Sequence, residues 1–121
     1  MSEDKSIDRD SCAAMLATVQ AYHDKFNFRE EGGEDLVYRV ALMSEELGEI
    51  STAVTKGRSQ EELAEECADL FILLLGTAIS ADFNMTDAFW AKMERLMTRE
   101  KRTINGRVRV SATFEANANE D

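Results

Sequence analysis

Residues 35–81 read DLVYRVALMSEELGEISTAVTKGRSQEELAEECADLFILLLGTAISA, and this stretch decides the fold class. Its first half predicts a helix from about Asp35 to Thr55, because apolar residues recur there with a helical period. The apolar stripe consists of Leu36, Val37, Val40, Met43, Leu47, Ile50 and Val54. Gly57 follows at the position where a left-handed helix cap is expected, so this helix should end there.

The second half of the stretch predicts another helix, from Ser59 to about Ala81. Ser59 and Glu62 have the spacing of a capping box, which marks the first turn of a helix. The sequence is apolar on nearly all sides after Asp69, so this helix is expected at the centre of the domain. Its apolar run of about a dozen residues is shorter than the roughly 20 that a membrane span needs.

The remainder of the chain predicts two more helices and a short hairpin. One helix runs from about Asp8 or Ser11 to Phe26, and another runs from about Thr86 to Lys101, capped by Thr86 or Asn84. The inward face of the latter is expected to consist of Ala88, Phe89, Met93, Leu96 and Met97. Asn105 and Gly106 are typical of a type I′ turn, which predicts a hairpin within residues 103–110. The fold class is therefore all-α, a four-helix bundle with a short C-terminal hairpin.

Length and composition fit one domain. The chain has 121 residues, of which 44% are hydrophobic and 31% are charged, and it contains no proline. A single core of this size is common, and the absence of proline leaves long helices uninterrupted. We expect one all-α domain over residues 1–110 and a loose, acidic tail over residues 111–121.

The charge is strongly acidic and unevenly distributed. The formal net charge is -10, which disfavours binding to nucleic-acid polymers because their phosphates would be repelled. Residues 92–109 nevertheless hold seven basic and two acidic side chains, whereas residues 1–91 hold seven basic and nineteen acidic ones. An acidic body with one basic strip suits a small, polyanionic, metal-bound ligand.

The cysteines and the N-terminus predict a reduced, cytoplasmic protein. Cys12 and Cys67 stand 55 positions apart and form no CxxC pair, so both are expected to be small core residues. The first residues, Met1 to Lys5, lack the basic start and apolar segment of a secretory signal.

The chemistry is predicted from two pairs of acidic residues on consecutive helices. Glu46 and Glu49 are three residues apart, as are Glu66 and Asp69, so each pair projects from one face of its helix. None of the four has a basic residue three or four positions away. Acidic helix residues usually face water and pair with such cations, so a solvated acidic face is the alternative interpretation.

A metal site explains these unpaired carboxylates. Like charges at this spacing destabilise a helix by roughly 0.2–0.5 kcal/mol per pair, and a divalent cation would remove the repulsion. Ligation by oxygen alone favours Mg²⁺ or Mn²⁺ over Zn²⁺. A di-iron bundle would need Glu-x-x-His pairs, but the single histidine, His23, follows Gln20 at that spacing.

The two acidic motifs resemble the EExxE and ExxD signature of MazG-like nucleoside triphosphate pyrophosphohydrolases. They read EELGE at residues 45–49 and ECAD at residues 66–69, and the resemblance covers about residues 14–102. It implies membership of the all-α NTP pyrophosphatase superfamily and a MazG-like four-helix bundle. It also implies Mg²⁺-dependent hydrolysis of a (deoxy)nucleoside triphosphate to the monophosphate and pyrophosphate, with Mn²⁺ as a possible substitute.

The resemblance also implies roles for individual residues. The Mg²⁺ ligands would be Glu46, Glu49, Glu66 and Asp69, and Glu45 would orient or deprotonate the attacking water. The family's phosphate-binding motif, KxxKNxxR, reads Lys92, Arg95, Leu96 and Arg99 at its defining positions, with Leu96 where Asn is usual. Lys101 and Arg102 just beyond it are equally credible phosphate contacts, and each of these cations is also compatible with a solvated surface position.

The nucleoside pocket is less clearly marked. The candidates for stacking on the base or contacting its edge are His23, Phe26, Phe28 and Trp90. Aromatic residues at helical spacing more often belong to the core.

Three functions remain open at this point. The first is a house-cleaning or pool-regulating nucleoside triphosphate pyrophosphohydrolase, and the second is phosphoribosyl-ATP pyrophosphatase, whose substrate presents the same phosphate chain. The third is a non-catalytic helical interaction protein. An all-round apolar third helix needs cover on several sides, and the resemblance implies a homodimer or a tetramer built from dimers.

Overall fold

The computed structural model describes residues 9–111, which form four helices and one hairpin. The elements are α1 (Cys12–Lys25), α2 (Leu36–Thr55), α3 (Gln60–Ala81), α4 (Met85–Met97), β1 (Glu100–Ile104) and β2 (Arg107–Ser111). This confirms the predicted all-α class with a C-terminal hairpin. The chain divides after Phe83 into two compact units, which are described in turn.

Side-chain caps begin the three helices of the first unit where the sequence predicts them. Ser11 accepts a hydrogen bond from the Ala14 amide (3.0 Å) at the start of α1. Asp35 accepts one from the Tyr38 amide (2.9 Å) at the start of α2. Ser59 and Glu62 form both hydrogen bonds of the predicted capping box on α3. Each cap satisfies a backbone N–H that has no partner within its helix.

The helix α3 lies at the centre of the first unit, packed against both α2 and α1. Gly57 adopts a positive φ of 63° between α2 and α3, a conformation that glycine reaches without steric cost. The buried apolar residues of the unit are Val19 on α1, Ala53 on α2, and Leu75 and Ala78 on α3. The central position predicted for α3 is therefore confirmed.

Much of the apolar surface of α2 and α3 is exposed in the single chain. Val37 on α2 is 80% exposed. On α3, Phe71, Ile72 and Leu74 are each more than two-fifths exposed. α1 and α2 therefore cover only part of the apolar surface of α3.

The second unit begins with α4, and the expected end of this helix is wrong. It ends at Met97 and not at Lys101, because the amides of Thr98 and Arg99 bond to carbonyls only three residues back and the chain then enters β1. The expected inward face is only partly covered: Met93 and Leu96 are half-buried, whereas Ala88, Phe89 and Met97 are exposed. Asn84, one of the two residues predicted to cap this helix, is its N-cap.

The hairpin forms where the sequence predicts it. β1 and β2 pair in antiparallel register, with Ile104 opposite Arg107. Asn105 and Gly106 have φ angles of 53° and 79°, the positive values that a type I′ turn requires. Ser111, which the sequence assigns to the tail, is the buried last residue of β2. The rest of the predicted tail lies outside the described residues.

Two further expectations can be compared with the structure. Both cysteines are free thiols, but Cys67 is exposed, so its interpretation as a packing residue is wrong. Cys12 is half-buried. No helix within residues 9–111 combines the length and the apolarity that a membrane span requires.

Candidate metal centre and adjoining groove

Three of the predicted acidic residues come together between α2 and α3. Glu46, Glu66 and Asp69 each offer one carboxylate oxygen, and these oxygens lie within 4.8 Å of one another. All three side chains are half-buried. We call these residues the acidic cluster.

The antiparallel packing of α2 against α3 brings the acidic cluster together. Contacts near the start of α2 are with the later turns of α3, where Arg39 bonds to Leu73 and Thr77. Two turns further along α2, Glu46 meets the earlier turn of α3 that carries Glu66 and Asp69. The three-residue spacing of these two acids puts both on the face of α3 that contacts α2.

The carboxylates of the cluster disfavour one another's ionised state. The pKa of Glu46 is raised, first by burial and then by the charges of Asp69, Glu66, Glu49 and Glu45. The pKa of Glu66 is raised by burial, then by Glu49, Asp69 and Glu65, against a smaller opposing effect of Arg58. Apart from burial, the neighbouring charges that raise these pKa values are all carboxylates, so negative charge accumulates here without enough positive charge to balance it.

Glu49 and Glu45 border the acidic cluster without belonging to it. Both side chains are exposed on α2. The charge of Glu49 raises the pKa of both Glu46 and Glu66, so its carboxylate is within electrostatic reach of both helices' acids. Glu45 acts on Glu46 alone in this way.

The donor set of the cluster fits a hard divalent cation. Its carboxylate oxygens are the ligands that Mg²⁺ and Mn²⁺ prefer, and it contains no histidine or cysteine. A divalent cation would also cancel the repulsion that raises the pKa values.

An apolar groove of about 1310 Å³ adjoins the acidic cluster within the first unit. Glu46 and Asp69 line one part of it, and His23 and Arg39 line another. The phenylalanine and tyrosine residues that line the groove are Tyr22, Phe26, Phe28, Tyr38 and Phe71. The groove therefore joins a negatively charged region to an aromatic one.

The predicted base contacts fall in different surroundings. His23 is only 2% exposed, and its Nδ1 lies 3.0 Å from Glu34 Oε2. Its ring also packs on Phe28, with 4.6 Å between the ring centroids. Phe26 is exposed and meets Tyr22 edge-on. Trp90 belongs to the second unit, where it is exposed and contacts Phe89.

Glu34 is tied to its neighbours by charge and hydrogen bonds. The hydrogen bond with His23, together with a longer contact from Arg29, holds the pKa of the Glu34 carboxyl below its usual value, although burial opposes this. These contacts join the loop before α2 to the last turns of α1.

All five predicted phosphate-binding cations belong to the second unit. Lys92 and Arg95 lie on α4, and Arg99 follows the end of that helix. Lys101 and Arg102 are neighbours on β1, where successive side chains point to opposite faces. The five cations are therefore distributed over a helix, a turn and a strand.

Sequence reasoning missed Arg39 and Tyr22 as residues of the groove. Arg39 is 1% exposed and bonds to the loop before α2 and to α3. Its signal in the sequence is a lone cation inside the apolar stripe of α2. Gly76, a glycine within the apolar run of α3, gives a second signal, because it lies against this guanidinium. Tyr22 carries no comparable signal, since an aromatic residue on an apolar helix face is ordinary.

Comparison with known proteins identifies the family. The model of the MazG nucleotide pyrophosphohydrolase domain matches residues 37–104, which is more than half of the chain. This segment contains the whole acidic cluster, and the family is generally dependent on a divalent metal. No curated protein and no solved structure matches the chain. Because the matched segment covers more than half of the chain and contains the acidic cluster, the chain belongs to the MazG nucleotide pyrophosphohydrolase family.

Proposed function

We propose that this protein hydrolyses (deoxy)nucleoside triphosphates to the monophosphate and pyrophosphate, with Mg²⁺ as cofactor and Mn²⁺ as a substitute. The observation that carries the proposal is the acidic cluster, in which three carboxylate oxygens from two helices lie within 4.8 Å of one another. Controlling the nucleotide pool, or removing unwanted nucleotides from it, is the role that fits such an activity.

The acidic residues have distinct roles in this proposal. Glu46, Glu66 and Asp69 hold the cation, and Glu49 at the edge of the cluster completes the ligand set. When bound, the cation would neutralise phosphate charge and lower the pKa of a ligated water. Glu45, exposed on the same turn of α2 as Glu46, accepts the proton from the attacking water.

The reaction is a substitution at the α-phosphorus. A bond forms from the water oxygen to this phosphorus, and the bond from the phosphorus to the oxygen that bridges to the β-phosphate breaks. The electron pair of the broken bond leaves with pyrophosphate. One proton of the water passes to the carboxylate of Glu45, and the neighbouring Glu46 contributes to catalysis by holding the cation.

The remaining substrate contacts are proposed from charge and shape. Lys92, Arg95, Arg99, Lys101 and Arg102 supply the positive charge that a triphosphate tail requires. For the base, the apolar groove beside the acidic cluster offers the exposed ring of Phe26, and His23, which is held by Glu34, lines the same groove. Trp90 is a further stacking candidate because its ring is exposed.

We also propose that the protein is a homodimer or a tetramer. The exposed apolar residues of α2 and α3 support this, since large uncovered apolar surfaces usually mark interfaces. Light scattering coupled to size exclusion tests it. A mass near the 13.6 kDa of one chain would contradict the proposal.

The experiment that tests the activity is a screen for released pyrophosphate with ordinary and damaged (deoxy)nucleoside triphosphates, with and without Mg²⁺. Asp69→Asn should remove turnover, whereas Glu61→Gln, which deletes an exposed carboxylate of α3 outside the cluster, should retain it. Turnover of phosphoribosyl-ATP in place of the triphosphates would favour the other enzyme of the superfamily. Absence of any Mg²⁺-dependent turnover would favour the non-catalytic interaction protein.

A further inference from the structure

The guanidinium of Arg39 connects three separate segments of the first unit. Its Nε donates to Thr77 Oγ1 (3.1 Å), its Nη1 to the Gly33 carbonyl (3.0 Å) and its Nη2 to the Leu73 carbonyl (2.8 Å). One buried side chain on α2 thus binds α3 at two successive turns and the loop before α2 at a third point.

Neutral oxygens hold this charge, not a carboxylate. No ion pair within residues 9–111 includes Arg39. Burial lowers the pKa of the guanidinium, while the charge of the Glu34 carboxylate and, at alkaline pH, that of the Tyr22 phenolate raise it. The acidic cluster is absent from these influences, so Arg39 does not act on the cluster by neutralising it.

The position of Arg39 relates it to the acidic cluster through helix geometry. Arg39 precedes Glu46 by seven residues, which is about two turns on the same face of α2. Its acceptors on α3, at Leu73 and Thr77, follow Asp69 by about one and two turns. Arg39 and the acidic cluster therefore occupy the same α2–α3 contact, two turns apart.

A planar guanidinium is suited to fixing how far one helix slides along another. Its donors diverge in fixed directions, so the two hydrogen bonds to α3, at Leu73 and Thr77, are made together only at one relative position of α2 and α3, while the bond to the Gly33 carbonyl holds the guanidinium against the loop. A shift of one helical turn, about 5.4 Å, would end the present approach of Glu46 to both Glu66 and Asp69.

Gly76 makes room for this arrangement. It lies in the interior of α3, where glycine is unfavourable for a helix. A Cβ at this position would overlap Arg39 Nη2 and would lie 2.7 Å from His23 Nε2. The absence of a side chain at residue 76 is therefore what allows the guanidinium and the imidazole to lie against α3.

We infer that Arg39 is a positioning residue, which sets the register of α2 against α3 and so holds Glu46 beside Glu66 and Asp69. Its consequence for catalysis rests on the proposed function. The register itself is testable without metal or substrate.

The first test measures charge repulsion in the acidic cluster without metal. Glu46→Gln is introduced into wild type, Arg39→Met and Ala78→Gly, and Tm is measured in EDTA. Ala78→Gly is the control, because it weakens the buried face of α3 without touching Arg39's hydrogen bonds. Glu46→Gln should raise Tm in wild type and Ala78→Gly, and by less than half as much in Arg39→Met. An equal rise in all three backgrounds would overturn the inference.

Milder variants keep the test decisive if Arg39→Met does not fold. Thr77→Val removes one acceptor of the guanidinium. Arg39→Lys keeps the positive charge but replaces the planar guanidinium, so the three hydrogen bonds cannot be made in the same directions. In both variants, Glu46→Gln should raise Tm by less than it does in wild type. If neither does so in a folded protein, the inference is refuted.

The second test measures Mn²⁺ binding from the electron paramagnetic resonance signal of the free ion. Arg39→Met should weaken binding at least tenfold, and Ala78→Gly by less than twofold. Unchanged affinity in Arg39→Met would contradict the inference. Failure of wild type to bind Mn²⁺ would instead refute the proposed metal site, and the metal-free Tm comparison would still decide the role of Arg39.

Discussion

Replacing Asp69 by Asn should make the metal-free protein more stable while abolishing its activity. Asp69 contributes a carboxylate oxygen within 4.8 Å of one from Glu46. Two unit charges at that separation repel by about 0.9 kcal/mol even at the dielectric constant of water. For a chain of this size, such a gain corresponds to a rise of about 4 °C in Tm. Asn keeps nearly the same shape, so packing should change little.

The assay is thermal unfolding followed by circular dichroism in EDTA at low salt, repeated with Mg²⁺ in the millimolar range. Mg²⁺ should raise the Tm of wild type, because a ligand that binds only the folded state stabilises it. It should leave the Asp69→Asn variant nearly unchanged. Added NaCl should shrink the metal-free difference, since salt screens the repulsion of partly exposed charges.

Glu61→Gln is the matched control, because it also removes one negative charge from α3 but outside the acidic cluster. Its Tm should respond to Mg²⁺ as wild type does. An Asp69→Asn variant that melts at or below the wild-type temperature in EDTA, and gains as much from Mg²⁺, would refute the repulsion argument.

Three other changes test separate parts of the structure. Glu34→Gln should lower stability by about 1 kcal/mol at pH 7, the usual contribution of a hydrogen bond with a charged partner at a partly exposed site. Because the folded-state pKa of Glu34 is depressed, its contribution is present above the unfolded-state pKa and is lost as pH falls through the folded-state value. Urea midpoints of the two proteins should therefore converge below about pH 4, and a constant gap down to pH 3 would speak against this role. Gly76→Ala should destabilise the protein by about 1–3 kcal/mol through overpacking, although alanine favours helices; a more stable variant in urea unfolding would show that Arg39 and His23 relax freely. Arg99→Ala should raise KM for the nucleotide about tenfold, the effect of losing one charge-assisted contact, while Mn²⁺ affinity stays the same. Unchanged KM and kcat would remove Arg99 from the phosphate contacts.

Features encoded by neighbouring residues could be predicted from the sequence. The capping box at Ser59 and the turn at Asn105 and Gly106 depend on a few consecutive residues, and both are confirmed. The three-residue spacing of Glu66 and Asp69 likewise fixes the face that they share. Local chemistry therefore accounts for three helix starts, the hairpin and the acidic faces.

Features that depend on distant partners could not be predicted in the same way. The end of α4 is one example, since Glu100 and Lys101 suit a helix but pair with β2 instead. The burial of Arg39 is another, because it needs acceptors on α3 and the space at Gly76. Cys67 is a third, because cysteine is usually a small packing residue, yet this one is exposed on α3.

For a related reason, the sequence could not predict which apolar helix residues are exposed. Periodicity indicates which residues of a helix can be buried, but not what covers them. On α3, Leu75 and Ala78 are covered within the chain, whereas Phe71 and Leu74 remain exposed. The periodic apolar pattern in the sequence is the same for the covered and for the exposed residues.

The hairpin has a consequence for the solubility of the protein. Within the part of the chain that the structure describes, β1 and β2 form a two-stranded sheet, so each strand has an outer edge that could recruit a strand from another molecule. Arg102 and Arg109 stand directly opposite one another, and Lys101 and Arg107 add further positive charge. Charged edge strands discourage strand-to-strand stacking. These basic side chains should therefore oppose strand-to-strand association of the hairpin, even though Val108 is exposed on it.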